Sequence, residues 1–515
     1  MPGELGMIDS GILQFAPKGA YYEGQNEQYN AVKSMWQQLF DYDRTLFGLL
    51  MLLNGTGFSK GSMTHMLLSN SQDLIFKNPK LGSRESGQLQ CVIDGLPAEF
   101  ESEIMMYALF KEKTPRALKN LLMLTGAEGH KRINNSRARK LILDFIFNRD
   151  NISLDFLAVN YKGKLQTLVR HALGKQDLSK ILNGNSIIFK KFIGRYNPHA
   201  FPVICHLFNK NIPSKGTFFP KIEEYYNLRD AAIRGDVDQF RKHMKELPIR
   251  TVMGMRNLFK VAIDKKELFE ETKLSAKDKI QMQSAAKKTG AKVQINYKKQ
   301  DIYDLFKFLY FKVSSGDETD IQDILEAINH VESKLPKINI GDCVVIMDAS
   351  HSMMGSEQRP MHPFLTGLSI ISALDNVKNV IYVGGKGVPI KDLQSTIVVP
   401  ANSTDLWKGL VEAVSSGVEN VVVISDGYEN TIKGMFKHVY NRFRQSGYDF
   451  KLTHINPVFS AGSSNGTARK LTDDTKPLPV GDYKYLETEV IFSKLIEDKH
   501  LVKKLLISKY QKLLK

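Results

Sequence analysis

The hydrophobic positions change rhythm once along the chain. In residues 26–54, Tyr29, Val32, Met35, Trp36, Leu39 and Phe40 recur at steps of three and four; Asp41-Tyr42-Asp43 interrupts, and an apolar run resumes over 46–53. That spacing predicts a helix, a turn and a second helix. The unit recurs at 100–110 with 116–124, at 138–147 with 154–161, and at 165–173, with Pro115 where a first helical turn tolerates it. Further helical stretches are read at 221–233, 237–246, 248–263, 276–288, 301–313 and 321–335. Helix pairs repeated this far, with almost no strand-like alternation, predict an α-helical HEAT-like repeat array rather than a compact bundle. From Gly341 the rhythm switches. Apolar strands at 344–347, 380–383, 396–399, 421–425 and 452–455 alternate with helical stretches at 364–374, 406–414 and 431–443, which predicts an α/β doubly wound parallel sheet. The link Pro336-Lys337-Ile338-Asn339 is short, so the two parts are expected to pack together. A Lys-rich amphipathic tail follows, with Leu495, Val502, Leu505, Leu506 and Leu513 on its apolar side. The expected organisation is a multidomain chain: helical array 1–340, α/β domain 341–480, Lys-rich helical segment 481–515.

Composition bounds the class. The chain has 515 residues, 42% hydrophobic and 24% charged, which is ordinary for a globular protein of several domains. Its longest apolar run, 46–53, is under half a membrane span, and Met1-Pro2-Gly3-Glu4 is not a secretory signal, so a cytoplasmic location without membrane partners is expected. Cys91, Cys205 and Cys343 lie far apart without zinc spacing and are expected to be reduced core residues. The net charge of +16 is unevenly spread: residues 1–340 carry 50 Lys and Arg against 37 Asp and Glu, while 341–480 carry 13 of each. A polyanion, nucleic acid ahead of acidic membrane, is the natural partner of such a helical region.

Candidate chemistry begins at residues 342–355, Asp-Cys-Val-Val-Ile-Met-Asp-Ala-Ser-His-Ser-Met-Met-Gly, an apolar run ending in an acid and two hydroxyls at alternate positions. In an open α/β sheet, ligands sit outside the carboxyl ends of the strands, where Asp348, Ser350 and Ser352 would stand. Asp and Ser after a strand are also ordinary helix caps. As ligands they form an all-oxygen set suited to a divalent cation such as Mg²⁺. The Asp-x-Ser-x-Ser spacing resembles the metal-ion-dependent adhesion site of von Willebrand factor A domains. That resemblance implies a Thr from a second loop and an Asp from a third, roles that Thr404 in Asn402-Ser403-Thr404-Asp405 and Asp426 in Ser425-Asp426-Gly427 match.

Helix pairs followed by an Asp-x-Ser-x-Ser domain resemble the Ro autoantigen family, whose helical part is the TROVE module. Three stretches support this: Arg137-Ala138-Arg139-Lys140-Leu141 leading to Phe147-Asn148; Val159-Asn160-Tyr161-Lys162 followed by Leu168-Val169-Arg170-His171-Ala172-Leu173; and Glu246-Leu247-Pro248 leading to Met255-Arg256-Asn257-Leu258. The likeness spans roughly residues 100–455 and points to a bacterial or phage-type member. Residues 1–100 match only as helices, and the Lys-rich end is additional. The loop before Leu168 is shorter than in the animal proteins, leaving Arg170 and His171 both open for one basic position. The family implies a ring of helical repeats clamped by the A-type domain. Single-stranded 3′ ends of misfolded RNA enter the ring, and small structured Y RNA binds outside. Arg137, Arg139, Lys140, Lys162, Lys164, Arg170, His171 and Arg256 are the residues expected to meet RNA, each with solvated helix face or ordinary ion pair as its bland alternative.

No catalytic template is complete. Gly384-Gly385-Lys386-Gly387 lacks phosphate-loop spacing, there is no Gly-x-Ser-x-Gly or His-Glu-x-x-His, and a phosphoryl-accepting Asp348 would want a second acid where Ser350 stands. A monomeric binder rather than an enzyme is expected. Its alternative function is a metal-dependent scaffold that captures an acidic residue of a partner, with an exoribonuclease one partner the resemblance suggests.

Overall fold

The computed structural model describes residues 11–15, 25–69, 96–97, 99–127, 130–183, 187–196, 200–210, 219–272, 274, 288–291, 295–317, 319–357, 359–390, 395–429, 431–458 and 469–513. Cys91 and nearly all of the helix expected at 276–288 lie outside them. The protein is rich in helix and carries one five-stranded parallel sheet, so a helical array accompanies an α/β domain. Its compact units divide elsewhere than at residue 340: residues 61–296 form one, and residues 1–60 with 297–515 form the other.

The helical unit is built from short helices with local start signals. Asn135, Asp150, Asp236 and Asp264 each accept a backbone N–H of the following turn at 2.8–3.0 Å, satisfying donors that a helix start leaves open. Thr114–Met123 and Pro220–Arg234 carry proline in their first turn, and Gly235, at φ 70°, closes the latter in the left-handed conformation. Lys162–Leu182 is two helices meeting at a kink: Gly174, at φ 72° and ψ 169°, leaves helical geometry right after the expected end at residue 173, and a second helix continues from there. Leu165, Leu168, Val169, Ala172 and Leu178 fill its inner face, and the helix packs against Ser136–Phe147 and Ala200–Leu207.

In the sheet unit, Cys343–Ala349 is buried at every position, as a central parallel strand covered on both faces requires. The strand order is Val377–Gly384, Cys343–Ala349, Asn420–Ile424, Lys451–Asn456, Leu478–Pro479, all parallel. The order reverses direction between Cys343–Ala349 and Asn420–Ile424, and a crevice at such a switch point is where these sheets take ligands. On one face Val344, Ile346, Val421 and Val423 meet Leu406, Leu410, Ala413, Phe436 and Tyr440 in a single core. The strand expected at 396–399 forms within Ser395–Val399 but pairs antiparallel with Lys386–Ile390 in a separate ribbon. Gly384 and Gly385, both at φ 77°, turn the chain out of the main sheet first.

The packing inside this unit explains why its boundary differs from the one read in the sequence. Ile302–Ser315, expected to close the array, sets the Tyr303 hydroxyl 2.7 Å from His362 Nδ1, and its Tyr310 donates to the Val398 carbonyl at 2.8 Å. The N-terminal helices meet the C-terminal segment: Gln14 donates to Glu489 at 2.8 Å, Thr488 donates to the Asn54 carbonyl at 2.9 Å, and Lys499 and Lys503 each lie 3.2 Å from Asp43. In the tail, Leu495, Val502 and Leu506 are buried as expected, while Leu505 and Leu513 are exposed. Among the described residues no helix is long and apolar enough to cross a membrane.

Candidate metal centre and basic surface

Three loops converge at the switch point. Asp348, at the carboxyl end of Cys343–Ala349, is fully buried; its Oδ1 accepts from the Ser350 N–H at 2.9 Å and lies 3.5 Å from the Thr404 hydroxyl. Its Oδ2 accepts from the Ser425 hydroxyl at 2.6 Å. The Ser350 and Ser352 hydroxyls stand 3.0 Å apart. Asp426 Oδ1 accepts from the Tyr428 N–H at 3.1 Å, and its Oδ2 is enclosed with no hydrogen-bond partner among the described residues. The Ser352 hydroxyl eases the charge on Asp426 without completing a bond to that oxygen. All five residues expected at the metal are thus gathered at adjoining loops.

Two carboxylates in a dry site are uncomfortable without a cation. Burial, and then the charge of Asp426, push the Asp348 carboxyl up to about 6. Burial likewise raises Asp426, against the opposing pull of the Tyr428 N–H, Ser352 and Arg469. An enclosed carboxylate oxygen with no donor costs free energy that coordination would recover. Among the described residues no group of three or more His, Cys, Asp and Glu is assembled for a metal. The set here is two carboxylates and three hydroxyls, a hard-oxygen donor set that fits Mg²⁺ and lacks the soft ligands of zinc or copper sites. When bound, such a cation would supply a positive centre that attracts a further oxygen ligand.

Two features at this centre were not read from the sequence as parts of it. Ser425 bonds Asp348 and its carbonyl meets His454 Nε2 at 3.0 Å, so it braces the first carboxylate from the neighbouring strand. Its position one residue before Asp426 was the available signal. Gly384 belongs in sequence to an incomplete phosphate loop; a Cβ there would lie 3.2 Å from both the Ser350 N and the Ser403 carbonyl oxygen, so its bare backbone lets the first and second site loops close.

The eight residues expected to meet RNA all lie in the helical unit and divide by role. His171 is buried, with Nε2 2.7 Å from the Ile133 carbonyl, and burial lowers its pKa; it belongs to the core and not to a contact surface. The half-buried Arg137 pairs with the buried Glu101 at 2.8 Å, and Arg256 donates to the Ile263 carbonyl at 2.6 Å and to Asn257 at 3.2 Å, so both are committed to local structure. Arg139, Lys140 and Arg170 are exposed and Lys164 is half-buried; among the described residues none of the four pairs with a carboxylate. Lys162 donates to Asn209 at 2.8 Å and lies over the Tyr225 ring at 5.0 Å. Burial and then the charge of Arg229 bring its amine down to about 8. Arg132 also belongs to this group, since its charge and that of Arg139 are both felt at His171. The Lys131-Arg132 pair ahead of Ser136–Phe147 was the signal for it. Like charges thus lie near one another at two places, Arg132 with Arg139 and Lys162 with Arg229.

No protein-family model matches this sequence, and no curated protein matches it.

Proposed function

We propose that this chain is an RNA-binding protein of the Ro type, a TROVE-like helical unit joined to a von Willebrand factor A-like unit. The helical unit takes small structured RNA and the unpaired 3′ ends of misfolded RNA on its free cations, in RNA quality control or processing. One observation carries the reading. Residues 61–296 hold 40 Lys and Arg against 23 Asp and Glu, a balance of +17, whereas residues 1–60 with 297–515 hold 31 against 32, a balance of −1. The basic excess of the whole chain therefore belongs to one compact unit. Lys and Arg that neutralise phosphates release counterions, so binding weakens steeply with salt. The test is competition on the full chain: hairpins with single-stranded 3′ tails should bind with steep salt dependence, and blunt hairpins of equal charge should compete poorly. Equal competition by blunt hairpins, or binding indifferent to salt, overturns the reading.

A second reading concerns the sheet unit, and the enclosed, donorless Asp426 Oδ2 favours it. Asp348, Ser350, Ser352, Thr404 and Asp426 hold Mg²⁺, and its open position captures an acidic side chain of a protein partner. Under this reading EDTA and Asp348→Ala abolish capture while salt has a mild effect. Capture that survives both would refute it.

A further inference from the structure

Asp426 opens a loop whose next residues are shaped by a neighbour from far along the sequence. Gly427 has φ 80°, and a Cβ there would lie 2.8 Å from the Arg469 carbonyl oxygen and 2.9 Å from the Arg469 Cβ. Residue 469 is thus pressed against the loop that carries the second carboxylate. Its guanidinium carbon stands 3.4 Å above the centroid of the Tyr428 ring, and the backbone N–H of that same tyrosine donates to Asp426 Oδ1 at 3.1 Å. The Arg469 charge is felt at Asp426. Its side chain is exposed, and among the described residues no carboxylate pairs with it and no acceptor takes its N–H groups.

Charge balance gives this position its meaning. A divalent cation held by Asp348, Asp426 and neutral hydroxyls leaves the centre with no net charge, so the metal alone attracts an incoming anion weakly. A guanidinium stacked on the residue two positions after Asp426, and close enough for its charge to be felt there, restores a positive field and offers a planar pair of donors, the geometry that matches a carboxylate. Stacking on Tyr428 holds that plane in place, so little side-chain freedom is lost on contact.

We propose that Arg469 is a specificity residue of the metal centre: it makes the second contact to the carboxylate of an acidic protein side chain whose other oxygen binds the cation. This rests on the metal-dependent capture reading above. It adds a preference for carboxylates over neutral oxygen ligands.

The experiment uses the full chain loaded with Mn²⁺ in place of Mg²⁺, with water-proton relaxation reporting both metal binding and displacement of metal-bound water. The probe is an acetylated, amidated pentapeptide with one central Glu, and the control has Gln there. The Glu peptide should displace water and the Gln peptide should not. Arg469→Gln should weaken the Glu peptide about tenfold while Mn²⁺ binds at least as tightly, since a positive charge felt at Asp426 is removed, and Arg469→Lys should fall between, having charge without the planar fork. Peptide affinity within twofold of wild type in Arg469→Gln, with Mn²⁺ still bound, overturns the role of Arg469 alone. Failure of wild-type protein to bind Mn²⁺, or of bound Mn²⁺ to take the Glu peptide, removes the capture reading and this inference together.

Discussion

Asp348 holds its proton up to about pH 6 because the folded chain buries it beside a second acid. A carboxyl whose folded pKa lies above its unfolded value favours folding below the unfolded value and loses that contribution as pH rises through the folded one. In metal-free protein, Asp348 therefore lowers stability as pH climbs from about 4 to about 6. Buried histidines act in the opposite sense. Burial pulls His362 and His454 down to about 4 and His206 to about 3, so their contribution is present above 6.5 and lost as pH falls. The metal-free Asp348→Asn variant, which keeps the histidines and removes the acid, should gain stability with pH more steeply between 4 and 6, by about 1.4 kcal/mol per pH unit. Denaturant titration at several pH values checks this; parallel pH profiles for the variant and wild type would contradict it. Mg²⁺ should raise the Tm of wild type increasingly over the same window and leave Asp348→Asn unmoved.

The same scale shows what a sequence discloses about single residues. Asp348, Ser350, Ser352, Thr404 and Asp426 could be named because strand ends and loop starts constrain where side chains go. His171 was misplaced although its spacing held the answer: it lies three residues after Leu168, on the face that Leu165, Leu168 and Ala172 bury, while Arg170 falls on the opposite side. Arg137 and Arg256 were different. Their partners, Glu101 and the Ile263 carbonyl, are set by tertiary packing and local chain reversal that no periodicity reports. Arg256→Gln should lower Tm with little effect on RNA affinity. Arg170→Gln should leave Tm unchanged and reduce the salt slope of RNA binding by about 0.7, the loss of one phosphate contact to a single strand.

At the scale of elements, the helices and central strands were legible because each carries its own periodicity and cap. What was not legible was how strands were shared out. Ser395–Val399 has the composition of a sheet strand, yet the two left-handed glycines before Lys386 direct it into its own ribbon. Gly384 also lies between the two loops that carry Ser350 and Thr404. At Gly384 any side chain meets the Ser350 N and the Ser403 carbonyl oxygen at 3.2 Å in a backbone conformation that L-residues resist. Gly384→Ala should cost about 1–3 kcal/mol and weaken Mg²⁺ binding by moving the first and second site loops apart. Thermal melting with and without Mg²⁺ measures both effects. Loss of stability with metal affinity intact would show that the loops tolerate the separation.

For the molecule as a whole, the change of rhythm near residue 341 was a true change of architecture, but the compact units follow packing. Residues 1–60 and 297–340 look like continuations of the array in their helical spacing and are claimed by the sheet unit through Tyr303, Tyr310, Gln14 and Asp43. The compact units separate charge more sharply than a boundary at residue 340 would, since the helices that pack into the sheet unit are acidic: residues 1–60 and 297–340 together hold 10 Lys and Arg against 14 Asp and Glu. Division of labour follows from that segregation. Asp426→Ala should abolish metal binding and leave RNA affinity within about twofold, because long-range steering by the helical unit does not depend on a neutral centre.

The most direct measurement is RNA affinity against salt concentration for wild type and for a variant with Arg139, Lys140, Lys164 and Arg170 all changed to Gln, using a hairpin with a single-stranded 3′ tail. Four lost contacts to unpaired strand should flatten the logarithmic slope by about 3 and weaken binding most at low salt, with Mg²⁺ binding and Tm preserved. A variant that binds the tailed hairpin as tightly as wild type, with the same slope, would contradict the assignment of RNA to these helices.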